Sequence, residues 1–170
     1  MTCRVRRARA DDLPRLQEIE VAAGALFAEV GLQSVADDEP ASLPVLAVFQ
    51  ARGTAWVSVD QTDRPVGYAL ALDVDGVAHL EQLSVDPAAG RQGRGRELVD
   101  AVSAWAAGRG SAGVTLSTFL DVPWNAPYYE RLGFVVLTEE QLTPGLLALR
   151  HHEAAIGLDV TRRVFMRRPL

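Results

Sequence analysis

The stretch HLEQLSVDPAAGRQGRGRELVDAVSAWAAGR, residues 79–109, decides the fold. It reads as a strand, a glycine-rich turn and a helix. His79 to Val85 is short and mostly apolar, and Asp86-Pro87 closes it, because proline has no N–H for a sheet ladder. After Gly95 the period changes. Leu98, Val102 and Trp105 recur at helical spacing, and Gly108 and Gly110 supply the stop. Between strand and helix lies Gly90-Arg91-Gln92-Gly93-Arg94-Gly95-Arg96. Glycines let backbone N–H groups approach a ligand closely. The first turn of the helix adds N–H groups with no helical partner and the positive end of the helix dipole. Together they make an anion site of the kind that takes phosphate, with Arg91, Arg94 and Arg96 adding positive charge. A tight turn without a ligand has the same composition, so the glycines alone do not decide.

Two phosphate motifs are excluded. A nucleotide P-loop needs Gly-Lys-Ser/Thr, and the chain has no lysine. A dinucleotide fingerprint needs a small residue where Leu98 stands, counting from Gly93 and Gly95. The match that remains is specific. Leu83-Ser84-Val85-Asp86-Pro87 followed by Arg91-Gln92-Gly93-Arg94-Gly95-Arg96-Glu97-Leu98 resembles the acetyl-CoA motif of the GNAT superfamily of N-acetyltransferases. Tyr129-Glu130-Arg131-Leu132-Gly133-Phe134 resembles the same family's Tyr-x-x-x-Gly-Phe signature. The order and separation of the two motifs fit as well, so the resemblance covers most of the chain. One departure stands out. The family often carries Gln or Arg three residues before the first motif glycine, and here that position is Gly90, which shifts the arginine role towards Arg91.

Composition agrees with one domain over 1–170. Hydrophobic residues make up 48% and charged residues 23%, the balance of an ordinary globular protein. No apolar run approaches the roughly 18 residues of a membrane helix, and the basic N-terminus lacks an apolar signal core. A cytoplasmic location is expected. Cys3, the single cysteine, cannot form an internal disulfide, and no Cys/His spacing indicates a metal. A catalytic thiol is not expected at Cys3. The net charge of −5 argues against general nucleic-acid binding. All 17 basic residues are arginine, which together with many alanines points to GC-rich coding and a bacterial source.

Outward from the central stretch, Arg4 to Ala10 reads as a first strand. Asp11-Asp12 caps a helix with Pro14 in its first turn and Leu13, Leu16, Ile19 and Ala23 on its apolar face. Gln33 to Pro44 reads as a loop and Leu43 to Gln50 as a helix. Thr54 to Val59 and Val66 to Val74 form an antiparallel hairpin, and Asp75-Gly76 is a tight turn into the central strand. Downstream, Val114 to Phe119 is a strand and Ala126 to Leu132 a short helix. Phe134 to Leu137 is a strand, Pro144 to Gly157 a helix with Leu146, Leu147 and Ile156 inward, and Thr161 to Met166 the last strand. This order predicts a mixed α/β sheet, mostly antiparallel, flanked by helices.

The GNAT resemblance implies more. Two adjacent parallel strands, His79–Val85 and Val114–Phe119, splay so that backbone near Leu83, Ser84 and Val85 bonds the pantetheine arm. The amides from Gln92 to Arg96 take the pyrophosphate. The cosubstrate is acetyl-CoA, with no metal. Tyr129, favoured over Tyr128, protonates the departing CoA thiolate. Asn125 either bonds the cofactor or caps the helix that follows it. The acceptor amine must lose a proton, and Glu81 and His79 share one face of the strand. Either serves as base, directly or through water. His151 and His152 are expected at the surface. The implied function is transfer of acetyl to the primary amine of a small molecule or peptide by direct transfer in a ternary complex. The alternatives are a non-catalytic acyl-CoA-binding regulatory module on the same fold, or an acyl group larger than acetyl. The resemblance also makes a homodimer plausible, with no membrane or nucleic-acid partner.

Overall fold

The structure, a computed structural model, describes residues 4–170. The expectation for Cys3 lies outside the described residues. Seven strands form one sheet in the order β1-β2-β3-β4-β5-β7-β6. They are β1 Arg4–Arg7, β2 Ala55–Val59, β3 Pro65–Val74, β4 Val77–Val85, β5 Gly113–Phe119, β6 Val135–Val136 and β7 Arg163–Pro169. The flanking α-helices are α1 Leu13–Gly24, α2 Gln33–Ala36, α3 Leu43–Ala51, α4 Arg94–Gly108, α5 Ala126–Arg131 and α6 Pro144–Ala155. β4 and β5 form the parallel pair, and the sheet is otherwise mostly antiparallel, as expected. Among the described residues no helix is long and apolar enough to cross a membrane.

The chain divides into two compact units. One reaches to Ala71 and takes in Gln82–Val102; the other comprises Leu72–Glu81 and Ser103–Leu170. In the first, β2 pairs with β1 and β3, with a bulge between Ser58 and Val59. Leu13, Leu16 and Ile19 line one face of α1 and pack with Leu46, Val57, Tyr68 and Leu70. Leu16, Ile19 and Leu46 are fully buried, each contributing about 1.5–3 kcal/mol of transfer free energy. The expected side-chain cap at Asp12 does not form. Its carboxylate is held from behind, by Arg6 with two bonds of 2.7 and 3.1 Å and by the Arg9 N–H at 2.7 Å. The bidentate guanidinium contact is the stronger of these. The segment read as a loop contains the single-turn α2.

In the second unit, β5 pairs with β7 along its full length, Gly113↔Pro169 to Phe119↔Arg163. Val74, Leu146 and Phe165 form its core cluster, with Leu72, Leu142 and Leu149 against it. The β3–β4 turn has Asp75 at φ 54° and Gly76 at φ 81°. Two left-handed residues in succession make the hairpin turn that matches strand twist. Asp75 also accepts from the Gly145 N–H at 2.7 Å, which fixes the start of α6. Ile156 does not point inward. α6 stops at Ala155 and Ile156 is 59% exposed, so Leu149 takes the expected place in the core. On α4 the buried stripe is Leu98, Val99, Val102 and Ala106. Trp105 is only half-buried, with Arg109 4.6 Å over its ring.

Candidate active site

The glycine turn has the backbone of an anion cradle. Arg91 and Gly93 both take left-handed conformations, φ 59° and 79°. At the start of α4 the Glu97 N–H donates to the Gly93 carbonyl at 3.1 Å. The N–H groups of Arg94, Gly95 and Arg96 therefore stand in the first turn, where a helix offers no acceptor. Their positive end favours an anion. The three arginines differ. Arg91 and Arg96 are exposed and make no hydrogen bond or ion pair among the described residues. Arg94 is turned into the protein. It donates to Ser58 Oγ and the Val59 carbonyl, each at 3.1 Å, at the β2 bulge, and to Gln92 Oε1 at 3.2 and 3.3 Å. Only its backbone N–H remains for a ligand. Gly90 is also explained: a Cβ there would lie 3.1 Å from the Pro87 carbonyl oxygen, so a Gln or Arg would strain the turn.

The end of β4 presents alternate faces. Leu83 and Val85 are half-buried and share a face with Glu81 by the two-residue period. Ser84 is buried at 6% exposure on the other face, and its hydroxyl accepts from the Gln82 amide at 2.9 Å. Ser84 also bonds Tyr68, whose hydroxyl donates to Glu20 at 2.7 Å. Ser84 therefore offers backbone rather than side chain.

In the second unit the parallel ladder runs over Ala78–Leu80 with Val114–Leu116. His79 is buried at 2% exposure, and its Nδ1 lies 2.9 Å from Thr115 Oγ1. The Thr115 hydroxyl donates to the Ala78 carbonyl at 3.4 Å. This pattern puts the imidazole proton on Nδ1 and leaves Nε2 as an acceptor, 3.9 Å from Glu81 Oε2. Burial pushes His79 down to about 4, so it is neutral at pH 7. Glu81 is 41% exposed and receives no hydrogen bond among the described residues. Crowding protein atoms raise its carboxyl, Glu153 raises it further, and His152 and Arg163 pull it down.

Tyr129 stands on α5 between two rings. Tyr128 and Phe134 meet it edge-on at 5.5 and 5.7 Å. Its hydroxyl has no hydrogen-bond partner among the described residues. Burial first, and Tyr128 second, push the phenol well above its ordinary range, while Arg163 opposes them. Tyr129 therefore keeps its proton at any working pH. Asn125 occupies the cap position of α5 without capping it. Its Oδ1 instead accepts from Thr118 at 2.8 Å and from the Phe119 N–H at 3.4 Å, because the end of β5 comes within reach. Among the described residues no His/Cys/Asp/Glu group could hold a metal ion.

Glu81, His79 and Tyr129 thus lie in one unit, and the glycine turn with Leu83–Val85 lies in the other. The sequence reading missed the charged group around Glu81. Arg163 opens β7 and pairs with Glu153 of α6. One lies on a helix and the other on a strand, so no single period relates them and only tertiary structure joins them.

A mixed sheet with one parallel pair, and a basic glycine turn opening a helix after it, defines the class as α/β. The model of the acetyltransferase (GNAT) family matches residues 17–134, and the chain belongs to that family. Acetyl transfer is the reaction class this membership carries. Solved structures share the fold at low identity. A GNAT-family acetyltransferase from Staphylococcus aureus Mu50 is 16% identical, with 99% of each chain covered and a TM-score of 0.74. PaiA N-acetyltransferase from Thermoplasma acidophilum, solved in complex with coenzyme A, is 14% identical, with 100% of each covered and a TM-score of 0.73. The ribosomal-protein-S18-alanine N-acetyltransferase of Escherichia coli is 22% identical, with 99% of this chain and 94% of that one covered and a TM-score of 0.65.

Proposed function

We propose that this chain, as one domain over 1–170, is an acetyl-CoA-dependent N-acetyltransferase acting on a primary amine by direct transfer in a ternary complex. One observation carries the reading. In a chain of an acetyltransferase family, Glu81 and Tyr129 both keep their proton-transfer atoms free of hydrogen bonds among the described residues. The glycine turn fits the donor: first-turn N–H groups and the unpaired Arg91 and Arg96 suit a diphosphate. When bound, acetyl-CoA supplies an activated acetyl thioester. Backbone of Leu83, Ser84 and Val85 holds the pantetheine arm. Glu81, directly or through water, takes the proton the amine must lose as its nitrogen bonds the acetyl carbon. Tyr129 gives its proton to the sulfur as the C–S bond breaks, and solvent returns one proton from Glu81 to Tyr129. His79, neutral and fixed by Thr115, presents its Nε2 lone pair beside Glu81 and shares the base role. The acceptor is a small-molecule or peptide amine, and the protein acts in the cytoplasm.

A thermal-shift titration followed by an amine-dependent thiol-release assay tests this. Acetyl-CoA at about 100 times its Kd adds roughly 2.7 kcal/mol, a rise of about 5–10 °C for a domain of this size, where NAD and ATP give none. Tyr129→Phe keeps that rise and loses about 100-fold or more in turnover. No shift with millimolar acetyl-CoA, or no thiol release with any amine, refutes the enzyme; unchanged turnover removes Tyr129 from the mechanism.

A further inference from the structure

Arg163 is drawn inward at the start of β7. Its Nη2 and Nε donate to the two Glu153 oxygens at 2.9 and 3.1 Å, and Nη2 also donates to Ser117 Oγ at 3.2 Å. Its guanidinium carbon lies 4.7 Å over the Phe119 ring. Both charged side chains are largely buried, 13% and 14% exposed. A pair so placed loses much of its hydration and is weak as a stabilising device. What distinguishes it is what it faces. The β4–β5 ladder sets His79 against Thr115, with their side chains 2.9 Å apart, so two residues further on Glu81 and Ser117 stand on that same face, and Ser117 is the residue that holds the Arg163 guanidinium. Glu81 accordingly feels Glu153 and His152 from α6 and Arg163 from β7, with neutral His79 beside it on its own strand. Tyr129 on α5 feels the same guanidinium.

We propose that Arg163 is a positioning residue for the acetyl-transfer site: clamped by Glu153 and Ser117 over Phe119, it screens the Glu81 carboxylate from that of Glu153. The inference deepens the reading of Glu81 as the acceptor-side base and rests on it for its effect on rate. Without Arg163, the Glu153 carboxylate would face Glu81 uncompensated, and Glu81 would hold its proton to higher pH. Glu81 would then become free to take the amine's proton only at correspondingly higher pH.

The test follows the Glu81 carboxyl carbon of the full chain by NMR against pH, with Glu81→Gln to assign the signal. Arg163→Gln raises the Glu81 midpoint, and Glu153→Gln lowers it. The double variant falls between the two, near wild type. The acid limb of kcat/KM moves with the midpoint in each case. A merely structural Arg163 would lower the melting temperature and leave the Glu81 titration where it was, which overturns the proposal. Should Arg163→Gln fail to fold, Glu153→Gln decides alone, since its amide still accepts from the guanidinium; an unmoved midpoint there is equally fatal. Midpoints that move while the acid limb stays still uphold the screening and remove Glu81 as the base.

Discussion

His79 gives the sharpest quantitative expectation. Burial holds it at about 4 in the folded chain, against 6.5 when solvated. A depressed folded value means the unfolded chain binds more protons between those limits, so stability is full above pH 6.5 and drains away as pH falls towards 4. Between pH 7 and pH 5 this single group removes about 2 kcal/mol of stability. The side chain is almost wholly enclosed, so solvent screening does not dilute the effect. His79→Asn retains an N–H for Thr115 and does not titrate. Urea unfolding at pH 7 and pH 5 then compares the two proteins, with the carboxylates common to both cancelling. Wild type should lose about 2 kcal/mol more than the variant, about 1 M in urea midpoint at an m-value near 2 kcal/mol/M. Equal losses would show that His79 titrates normally and is reached by water. The tautomer argued from Thr115 would then fail, and with it the neutral acceptor beside Glu81.

Arg94 and Arg91 should respond in opposite ways. Arg94→Gln loses the bonds to Ser58 and Val59 and costs about 2 kcal/mol of stability, read as a lower melting temperature with donor affinity lowered little. Arg91→Gly relieves a left-handed arginine, leaves stability unchanged or roughly 0.5 kcal/mol higher, and weakens acetyl-CoA binding about tenfold by calorimetry. Gly145→Ala places a Cβ 2.6 Å from Val74 Cγ1 and 2.7 Å from Asp75 Oδ2. It should cost about 2–3 kcal/mol in chemical unfolding as the Asp75 bond to α6 is displaced, and a wild-type unfolding curve would disprove the close packing.

Much of this was legible because the deciding signals are local. Asp86-Pro87 ends β4, Asp75-Gly76 makes its turn, and the change of period after Gly95 starts a helix that the structure begins at Arg94. The differences arise where the preceding strand outcompetes the helix for a side chain. Asp12 and Asn125 both sit at helix starts with capping side chains. Arg6, six residues back on β1, takes the first, and Thr118, seven residues back on β5, takes the second. α2 was hidden because a single turn carries no period. Ile156 has the right spacing for the core, but α6 ends one residue before it. Arg163 and Glu153 carry no spacing signal, and only the β5–β7 ladder and α6 bring them together with Ser117.

Gly90 and Arg91 show how a departure from a family pattern is absorbed. The chain reaches the turn with the Gly90 N–H bonded to the Pro87 carbonyl at 3.1 Å, and a Cβ would lie 3.1 Å from that same carbonyl oxygen. A long polar side chain at that position would therefore require the turn to shift by a few tenths of an ångström before any ligand is considered. The charge appears one residue later, on an arginine held left-handed at φ 59°. For a side chain with a Cβ that conformation costs about 1–2 kcal/mol, which glycine would avoid. The turn spends stability to keep a cation there, and the guanidinium repays none of it through contacts within the protein. Arg94, in an unstrained helical position beside it, is instead consumed by the β2 bulge. Arg91 and Arg96 stay free while Arg94 is used for structure, and of the free pair Arg91 is the one held against backbone strain, as expected where a cation serves an anion from outside the chain.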